Sequence, residues 1–472
     1  RVVNASDRSH SDRTMANVAS VEAKRTMKAI PRDRGTPLFG YLDDFKHDRI
    51  GLLLRIAKEH PEIVDMPMGV IRHLVTVTSP ALANEILTTK QLSFVKSPGL
   101  GLFLKPVLGN GLLSSETPLH ERQRRLLAPA FAHKRVASYA STMAAQTQAF
   151  VERIADGERL DIADAMMRLT FAIVGKALFD TEVTGEDATT VGEAVSTAME
   201  ISMQQLSSLI PIPPMIPTPA NLRYRAAVKR LDQVVFRIID EHRRDGRDRG
   251  DVLSMLIEAK DEQGQPMSDQ QVRDEAMGLF LAGHETTANA LSWTFYLLAQ
   301  NPDAREKMER ELDALGRAPD YDDLKALPYT LAVFKEAMRL YPPAYVLGRR
   351  PAHDTLIGEH RVPSRSIVMV NTIGIHHRED LWPDPYRFDP ERFLGDREKQ
   401  LPRCAYLPFG AGARVCIGTH FALMEGHVLL ATIARRLRFS LESKAPVELE
   451  PLVTLRPKGG IAVRAEIRRT SS

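Results

Sequence analysis

The sequence is poor in cysteine and tryptophan and has no long apolar run. Its 472 residues include two cysteines, Cys404 and Cys416, and two tryptophans. So few cysteines exclude a disulfide-stapled scaffold and fit a reducing compartment, so we expect a cytoplasmic protein. No stretch approaches the roughly 18 consecutive apolar residues that a membrane-spanning helix needs. We therefore expect no transmembrane anchor.

A surplus of one charge sign is also missing from most of the chain. Lys and Arg total 63, Asp and Glu total 60, and the net charge is +3. Residues 1–34 hold eight basic and four acidic side chains, which leaves a net charge of −1 for the remainder. The basic balance comes from the N-terminal segment, so the sequence gives no indication of nucleic-acid binding.

The N-terminal segment differs from the rest of the chain. We expect residues 1–30 to be a disordered or upstream extension and residues 31–472 to form one domain. A prior of about 150 residues per domain would give three domains, but no linker-like change in composition follows residue 35.

Helical periodicity dominates between residues 80 and 345, and short strands with proline-rich turns follow. This pattern predicts a mainly α fold with small β-sheets, of the α+β class. Examples of the predicted helices are 48–60, 134–155, 161–179, 221–244, 269–300, 303–315, 329–343 and 417–437. Strands are predicted within 68–78. The five prolines of 211–219 and the charge run 242–251 predict loops.

The most informative segment is PFGAGARVCIG at 408–418, which places Cys416 just before a helical pattern. Backbone N–H groups and the helix dipole are expected to lower the pKa of that thiol. Gly410 and Gly412 would permit the tight turn, and Gly418 would leave room for a flat ligand on the sulfur. A structural cysteine in a turn is the alternative, whereas a zinc site would need further ligands at suitable spacing.

Two more side chains of this loop suit such a ligand. Arg414 could pair with an anionic group, and Phe409 could shield the sulfur from water. With these residues the loop fits F-x-x-G-x-R-x-C-x-G at all five fixed positions. Here the sequence resembles the cytochrome P450 superfamily of haem-thiolate monooxygenases.

The resemblance implies a P450 fold, with haem b held between the long central helix and the helix that follows the cysteine loop. Cys416 would be the axial ligand of the haem iron, and its thiolate would favour O–O cleavage. Cys404 matches no motif position. The resemblance extends from about residue 31 to residue 464.

The segment AGHETT (282–287) lies in the middle of the predicted helix 269–300. Gly283 is costly inside a helix, so close approach of a ligand would explain it. Glu285 and Thr286 could form a proton relay through water. The alternative is a threonine bonded back to the preceding turn and a surface glutamate. The resemblance makes Glu285 and Thr286 the acid–alcohol pair and places Ala282 and Gly283 at the dioxygen groove.

Two further groups of charged residues follow from the resemblance. Glu336 and Arg339, in a Glu-x-x-Arg spacing, would form a buried network with Arg392 of PERF behind the cysteine loop. As a surface pair they would matter little. The haem propionates would contact the following side chains: His120, Arg124 and Arg349, with Arg350 as a rival to Arg349. The family often has Trp where this chain has His120.

The substrate is expected to be small and apolar, either fatty-acid-like or terpenoid. The resemblance implies that the loop-like segment 94–113 roofs the distal pocket. The candidate pocket residues are Phe103, Leu104, Met277, Leu281, Val346 and Val453.

The leading hypothesis is a monomeric monooxygenase. It would insert one atom of O2 into its substrate with NAD(P)H-derived electrons, delivered by a separate ferredoxin or flavodoxin and its reductase. A peroxide-driven hydroxylase and a haem-thiolate isomerase or dehydratase are the alternatives. A non-catalytic haem sensor is the remote one.

Overall fold

The computed structural model describes residues 28–69, 72–97, 103–180, 186–206, 208, 212–247, 249–260 and 264–469. The predicted extension therefore lies outside the described residues as far as residue 27. Lys28 already pairs with the body of the protein, because its backbone N–H donates to the carbonyl of Glu359 at 2.9 Å.

Helices make up most of the described structure, as the periodicity predicted. The α-helices are α1 (Leu42–His47), α2 (Arg49–Glu59), α3 (Pro80–Asn84), α4 (Lys105–Leu108), α5 (Leu119–Leu127), α6 (His133–Arg153), α7 (Ile162–Phe179), α8 (Glu186–Leu206), α9 (Pro219–Asp245), α10 (Val252–Glu258), α11 (Asp269–Gln300), α12 (Pro302–Asp313), α13 (Pro328–Leu340), α14 (Thr372–His376), α15 (Arg397–Gln400) and α16 (Thr419–Arg436). Short 3₁₀ turns cover Gln91–Ser93, Ala128–Phe131, Asp322–Ala326, Pro390–Phe393 and Gly412–Arg414, and a π turn covers Glu85–Thr89.

The strands are short and form small sheets. They are β1 (Ile63–Met68), β2 (Arg72–Val77), β3 (Phe94–Lys96), β4 (Arg159–Asp161), β5 (Leu347–Pro351), β6 (Thr355–Ile357), β7 (His360–Val362), β8 (Ile367–Val370), β9 (Leu437–Leu441), β10 (Leu449–Pro451), β11 (Leu455–Pro457) and β12 (Ala462–Ile467). One sheet has the order β1-β2-β8-β5-β3, in which β2 and β8 are parallel. The other sheets have the orders β4-β12-β9, β10-β11 and β6-β7.

Helix α11 runs through the largest apolar core, with α7, α9, α13 and α16 packed against it. Its 32 residues span about 48 Å at 1.5 Å per residue. Ser268 caps its first turn by accepting from the N–H of Gln271. Near its other end Trp293 is fully buried, donates to the carbonyl of Leu455 at 3.1 Å and stacks on Tyr341. The helix is therefore fixed along its whole length.

The predicted fold class is confirmed, and the long helices lie where the periodicity placed them. Most helix boundaries differ from the predicted ones by one to three residues, and α9 continues to Asp245, inside the charge run predicted as a loop. Gly246, at φ +64°, ends the helix in the left-handed conformation that glycine adopts without strain. Within the described ranges, no helix is both long and apolar enough to cross a lipid bilayer.

Candidate active site between helix α11 and the cysteine loop

The cysteine loop is a tight turn that ends at the start of α16. The backbone N–H of Cys416 donates to the carbonyl of Phe409 at 3.0 Å, and the Thr419 hydroxyl donates to the carbonyl of Cys416 at 2.8 Å. Gly418 is the N-cap residue of α16. The turn needs glycine at position 412, where φ is +73° and a Cβ atom would lie 1.8 Å from the carbonyl oxygen of Leu87.

The other two loop glycines differ in how strictly they are needed. Gly410 has φ +70°, so the turn strains any other residue there. At Gly418 a Cβ atom would lie 3.8 Å from the sulfur of Cys416, an ordinary contact distance. The contact within the protein therefore does not require glycine at position 418.

The Cys416 side chain is exposed, although protein surrounds it closely. The surrounding protein lowers the solvation of the sulfur and so raises the pKa of the thiol, while the N–H of Gly418 and the charge of Arg124 oppose the rise. The direction is opposite to the one expected from the helix terminus, because loss of solvation outweighs the backbone donors. A metal ion bound to the sulfur would reverse this, since a coordinated thiol loses its proton.

Helix α11 presents an accessible strip in the middle of an otherwise buried stretch. Ala282 is exposed, and Leu279, Gly283 and Thr286 are partly exposed, while the residues around them are buried. Their spacing of three and four puts them on one helix face. Gly283 is also explained by packing, because a Cβ atom there would lie 3.2 Å from Val174 of α7. The strip and the exposed Cys416 are the two accessible surfaces that the cysteine-loop and AGHETT motifs predicted as haem-facing.

The predicted acid–alcohol pair is held by two different sets of contacts. The Thr286 hydroxyl donates to the carbonyl of Ala282 at 2.6 Å, as in the alternative interpretation of that threonine. Glu285 is buried rather than exposed, and its carboxylate accepts from Arg456 at 2.8 Å and from the Thr454 hydroxyl. The acid is therefore clamped to β11, while the hydroxyl lies on the accessible strip.

A cluster of basic side chains lies beside the cysteine loop. Its members are Lys96, His120, Arg124, Arg349 and Arg414, which we call the basic cluster. Burial lowers the pKa of His120 to about 4, and the positive charges of Arg414 and then of the other three members add to this effect. Burial and Arg414 also lower the pKa of Lys96 to about 7 and that of Arg349 to about 10. Such crowding of positive charge favours a ligand that carries carboxylates, and the two haem propionates fit.

The contacts within the cluster show how it is assembled. Lys96 of β3 and Arg349 of β5 are cross-strand partners, which places their side chains on one face of the sheet. The neighbouring Arg350 faces the other side, so the register favours Arg349 over Arg350. Arg124 donates to the carbonyl of Val415 at 2.7 Å, and Arg414 pairs with Glu116.

The Glu336 network lies behind the loop. Glu336 and Arg339 are fully buried and form two parallel hydrogen bonds of 2.7 Å, and Arg392 approaches the same carboxylate at 3.4 Å. Arg339 also donates to the carbonyl of His376 at 2.8 Å. His376 in turn accepts from the N–H of Leu407, at the start of the cysteine loop, at 2.8 Å. The structure thus brings together the three residues that the Glu-x-x-Arg and PERF motifs predicted, and links them to the loop.

The predicted pocket residues are more scattered. Phe103, Leu104 and Leu281 are buried, and Val346 and Val453 are partly buried. Met277 faces a small apolar cavity between α11 and α9 rather than the strip of Ala282 and Thr286. Part of the predicted roof, residues 98–102, lies outside the described residues.

Sequence reasoning missed four residues that take part in this arrangement. They are Lys96, Leu279, Thr454 and Arg456. Leu279 could have been predicted, because it lies three residues before Ala282 and seven before Thr286, which puts all three on one face of a helix. Lys96 and Arg456 lie on paired strands and Thr454 directly precedes β11, and such pairings leave no local signal in the sequence.

Comparisons with known proteins agree with this geometry. A family model described as Cytochrome P450 matches residues 31–463. Cyclooctat-9-en-7-ol 5-monooxygenase of Streptomyces melanosporofaciens is 38% identical over 387 residues, which cover 80% of this chain and 83% of that protein. Pentalenene oxygenase of Streptomyces avermitilis is 34% identical over 381 residues, covering 80% and 84%.

A solved structure gives the same result at the level of the fold. The crystal structure of the cytochrome P450DA heme domain matches with a TM-score of 0.85 and 27% identity, over 94% of this chain and 99% of that one. Together with the cysteine loop, the AGHETT strip and the basic cluster, these matches mean that the chain belongs to the cytochrome P450 family of haem-thiolate monooxygenases.

Proposed function

We propose that this P450 hydroxylates a cyclic terpenoid. The observation that carries the proposal is the similarity to two oxygenases whose names specify a cyclic alkenol and pentalenene, each aligned over more than 80% of its length. The accessible strip on α11 supports it, because Leu279 and Ala282 offer apolar contact and Thr286 turns its hydroxyl back to the helix. Such a strip suits a hydrocarbon skeleton that is oriented by shape.

The haem, when bound, supplies the chemistry that activates O2, with one oxygen atom entering the substrate and the other leaving as water. We assign Cys416 as its axial ligand. We assign His120, Arg124, Arg349 and Arg414 to its propionates, with Lys96 as an added member. The charge surplus of the basic cluster supports this assignment, since carboxylates would neutralise it.

Thr286 and Glu285 would manage protons on the α11 side. Thr286 can hold a water molecule at the strip only if its hydroxyl turns away from the carbonyl of Ala282. Glu285 can pass protons only if its carboxylate leaves Arg456 for part of the cycle. We propose that these two rearrangements accompany turnover.

Electrons would come from a ferredoxin or flavodoxin with its reductase. Arg122, Arg125 and Lys134 are exposed near the cysteine loop and would form part of the docking surface, whereas Arg135 is turned toward the carbonyl of Gly250. Acidic redox proteins would be attracted to such a surface, and the attraction would weaken with salt. We propose that the protein acts as a cytoplasmic monomer.

The test uses the haem-loaded protein with two ligand panels of matched carbon number, one of cyclic terpenes and terpene alcohols and one of straight-chain fatty acids. Binding is followed by the haem absorption band. Turnover is then measured with a surrogate ferredoxin, its reductase and isotopically labelled O2. We expect a terpene to bind more tightly and its product to gain one labelled oxygen atom.

Three results would redirect the proposal. Tighter binding and hydroxylation of fatty acids would replace the substrate class. Turnover with peroxide but not with NADPH would favour the peroxide-driven hydroxylase. A product without added oxygen would favour the isomerase or dehydratase.

A further inference from the structure

An apolar cavity lies against α11, outside the site described above. Its walls come from five helices, α7, α8, α9, α10 and α11. Every described side chain that lines the cavity is apolar, and the lining includes Phe179, Val191, Ile238, Leu253, Ala276 and Met277. The free volume of the cavity is about 20 Å³, whereas one water-sized molecule needs roughly 10–15 Å³. The cavity is therefore large enough for one small molecule.

The cavity and the accessible strip lie on different faces of α11. Ala276, Met277 and Phe280 face the cavity, whereas Ala282 and Thr286 belong to the strip. At 3.6 residues per turn, the centres of these two sets are roughly 140° apart around the helix axis. The cavity is thus a separate space, although Phe280 and Ala282 are only about 3 Å apart along the axis.

The lining of the cavity does not suit water. A buried water molecule makes about three hydrogen bonds to polar groups around it. The described side chains of the lining offer it only the weak sulfur acceptor of Met277, and the backbone groups inside the helices are already paired. A cavity of this kind stays dry and binds apolar molecules such as xenon.

Two buried polar pairs hold α9 in place beside the cavity. At one end, Arg273 of α11 donates to Asp232 of α9 at 2.7 Å. At the other end, the Nε2 atom of His242 in α9 lies 3.0 Å from a carboxylate oxygen of Asp251, which caps α10 by accepting from the N–H of Ser254. Because both ends are fixed, the walls cannot easily move together and fill the empty space.

The aromatic side of the cavity is fixed as well. The ring of Phe280 makes an edge-to-face contact with Phe171, with centroids 4.7 Å apart, and a tilted contact with Phe179 at 5.8 Å. Such contacts hold aromatic rings in defined orientations. The cavity therefore has walls that are formed before any ligand enters.

We propose that this cavity is a binding site for one small apolar gas molecule, and that O2 is the natural ligand. O2 is uncharged and has no dipole, so an apolar lining costs it nothing, and it is the gas that a cytochrome P450 reaction consumes. The site stores O2 and does not react with it, since the lining carries no ionisable group. The inference does not depend on the substrate class, so it can fail without the terpenoid proposal failing.

The first experiment uses xenon as the probe. The haem-loaded protein in its ferrous–CO form, with labelled methyl groups, is placed under increasing xenon pressure and followed by NMR. The methyl signals of Ile238, Leu253 and Met277 should shift and reach saturation. The methyl signals of Val75, which lies in a different apolar cluster, should not shift.

Two variants fill the cavity from opposite walls. Ala276→Leu, on α11, should abolish the xenon-dependent shifts without lowering stability, because the added carbon atoms occupy empty space. Val234→Ile, on α9, adds a single methylene group and should weaken xenon binding if Ala276→Leu does not fold. The matched control is Ala299→Leu, which makes the same change near the end of α11, where the side chain is partly exposed. Its xenon-dependent shifts should equal those of the wild type.

The second experiment uses O2 itself with the ferric haem-loaded protein. O2 is paramagnetic, so bound O2 increases the relaxation rates of the methyl groups around it. The increase should be several-fold greater at Ile238 and Leu253 than at Val75, and it should fall when xenon is added.

The outcomes that would overturn the proposal are specific. Xenon-dependent shifts that are missing in the wild type, or that persist unchanged in Ala276→Leu, would overturn the site. A relaxation increase that is no greater at Ile238 and Leu253 than at Val75 would overturn the assignment of O2 as the ligand.

Discussion

At the scale of single residues, the two cysteines lie in different environments, and we assign a role as haem ligand to one of them only. Cys416 is exposed at the start of α16, while Cys404 is half-buried against an apolar cluster that includes Leu407. Burial raises the pKa of the Cys404 thiol. The five-position motif singled out Cys416 because a turn and a helix start leave a local sequence signal.

This difference predicts opposite outcomes for the two alanine variants. Cys416→Ala should lose the thiolate-type spectrum of the ferrous–CO complex, because the axial sulfur is gone. Cys404→Ala serves as the control and should keep the spectrum. Absorption spectra of both purified proteins decide the matter, and the reverse pattern would refute the ligand assignment.

Glu425 on α16 is a second residue whose environment was not foreseen from the sequence. It is fully buried, and neither carboxylate oxygen has a hydrogen-bond partner among the described residues. Burial raises the pKa of Glu425 to about 8; the Thr287 hydroxyl lies nearby and opposes the rise in part, but it donates to the carbonyl of Gly283 rather than to Glu425. The carboxyl group is therefore protonated at neutral pH.

Glu425→Gln should remove a pH-dependent loss of stability. A carboxyl group whose pKa is raised by folding binds its proton more tightly in the folded protein than in the unfolded chain. The contribution of the protonated group to the free energy of unfolding is fully present below about pH 4.5 and is lost as the pH rises through about 8. Each pH unit in this window costs about 1.4 kcal/mol. Denaturant unfolding at pH 5 and pH 8 should therefore show that the stability of the variant relative to the wild type is higher at pH 8 than at pH 5.

The control for that comparison is Glu306→Gln, on the exposed side of α12. Its stability relative to the wild type should not change with pH. A constant difference between Glu425→Gln and the wild type would mean that Glu425 is not neutral in the folded protein.

At the scale of elements, the long helices were predictable and the assembly of the site was not. The bounds 269–300 of α11 follow from an apolar periodicity that lasts many turns. The pairing of β2 with β8, or of Lys96 with Arg349, joins residues more than 200 positions apart. Such contacts depend on tertiary packing, which periodicity does not encode, so Lys96 and Arg456 were missed.

The Glu336 network gives a graded prediction at this scale. Glu336→Ala leaves the guanidinium of Arg339 buried without its carboxylate, which should cost about 3–5 kcal/mol and lower the yield of haem-loaded protein. Arg392→Ala should cost less, because Arg339 and the N–H of Asp389 still satisfy Glu336.

Haem content and denaturant unfolding measure the effect. Arg317→Ala, which removes an exposed pair with Asp320, is the control and should leave both unchanged. A fully loaded Glu336→Ala variant with wild-type stability would contradict the buried network.

At the scale of the whole molecule, α11 carries two parts of the site on different faces. One face carries the strip of Ala282 and Thr286, and another carries Glu285 with its hydrogen bonds to Arg456 and Thr454. The cysteine loop and the basic cluster come from distant parts of the chain. A bound haem would offset part of the positive charge of the cluster and stabilise the folded state by mass action.

We propose that this assembly activates O2 and that Thr286 directs the protons. The most direct test is product formed per NADPH consumed in Thr286→Ala, with peroxide release assayed in parallel. Product should fall by about 10²-fold, while NADPH consumption continues and its electrons appear as peroxide. Thr286→Ser, which keeps the hydroxyl, and Thr294→Ala, which removes a buried one two turns away, should both stay coupled. Unchanged coupling in Thr286→Ala would show that Thr286 does not direct the protons.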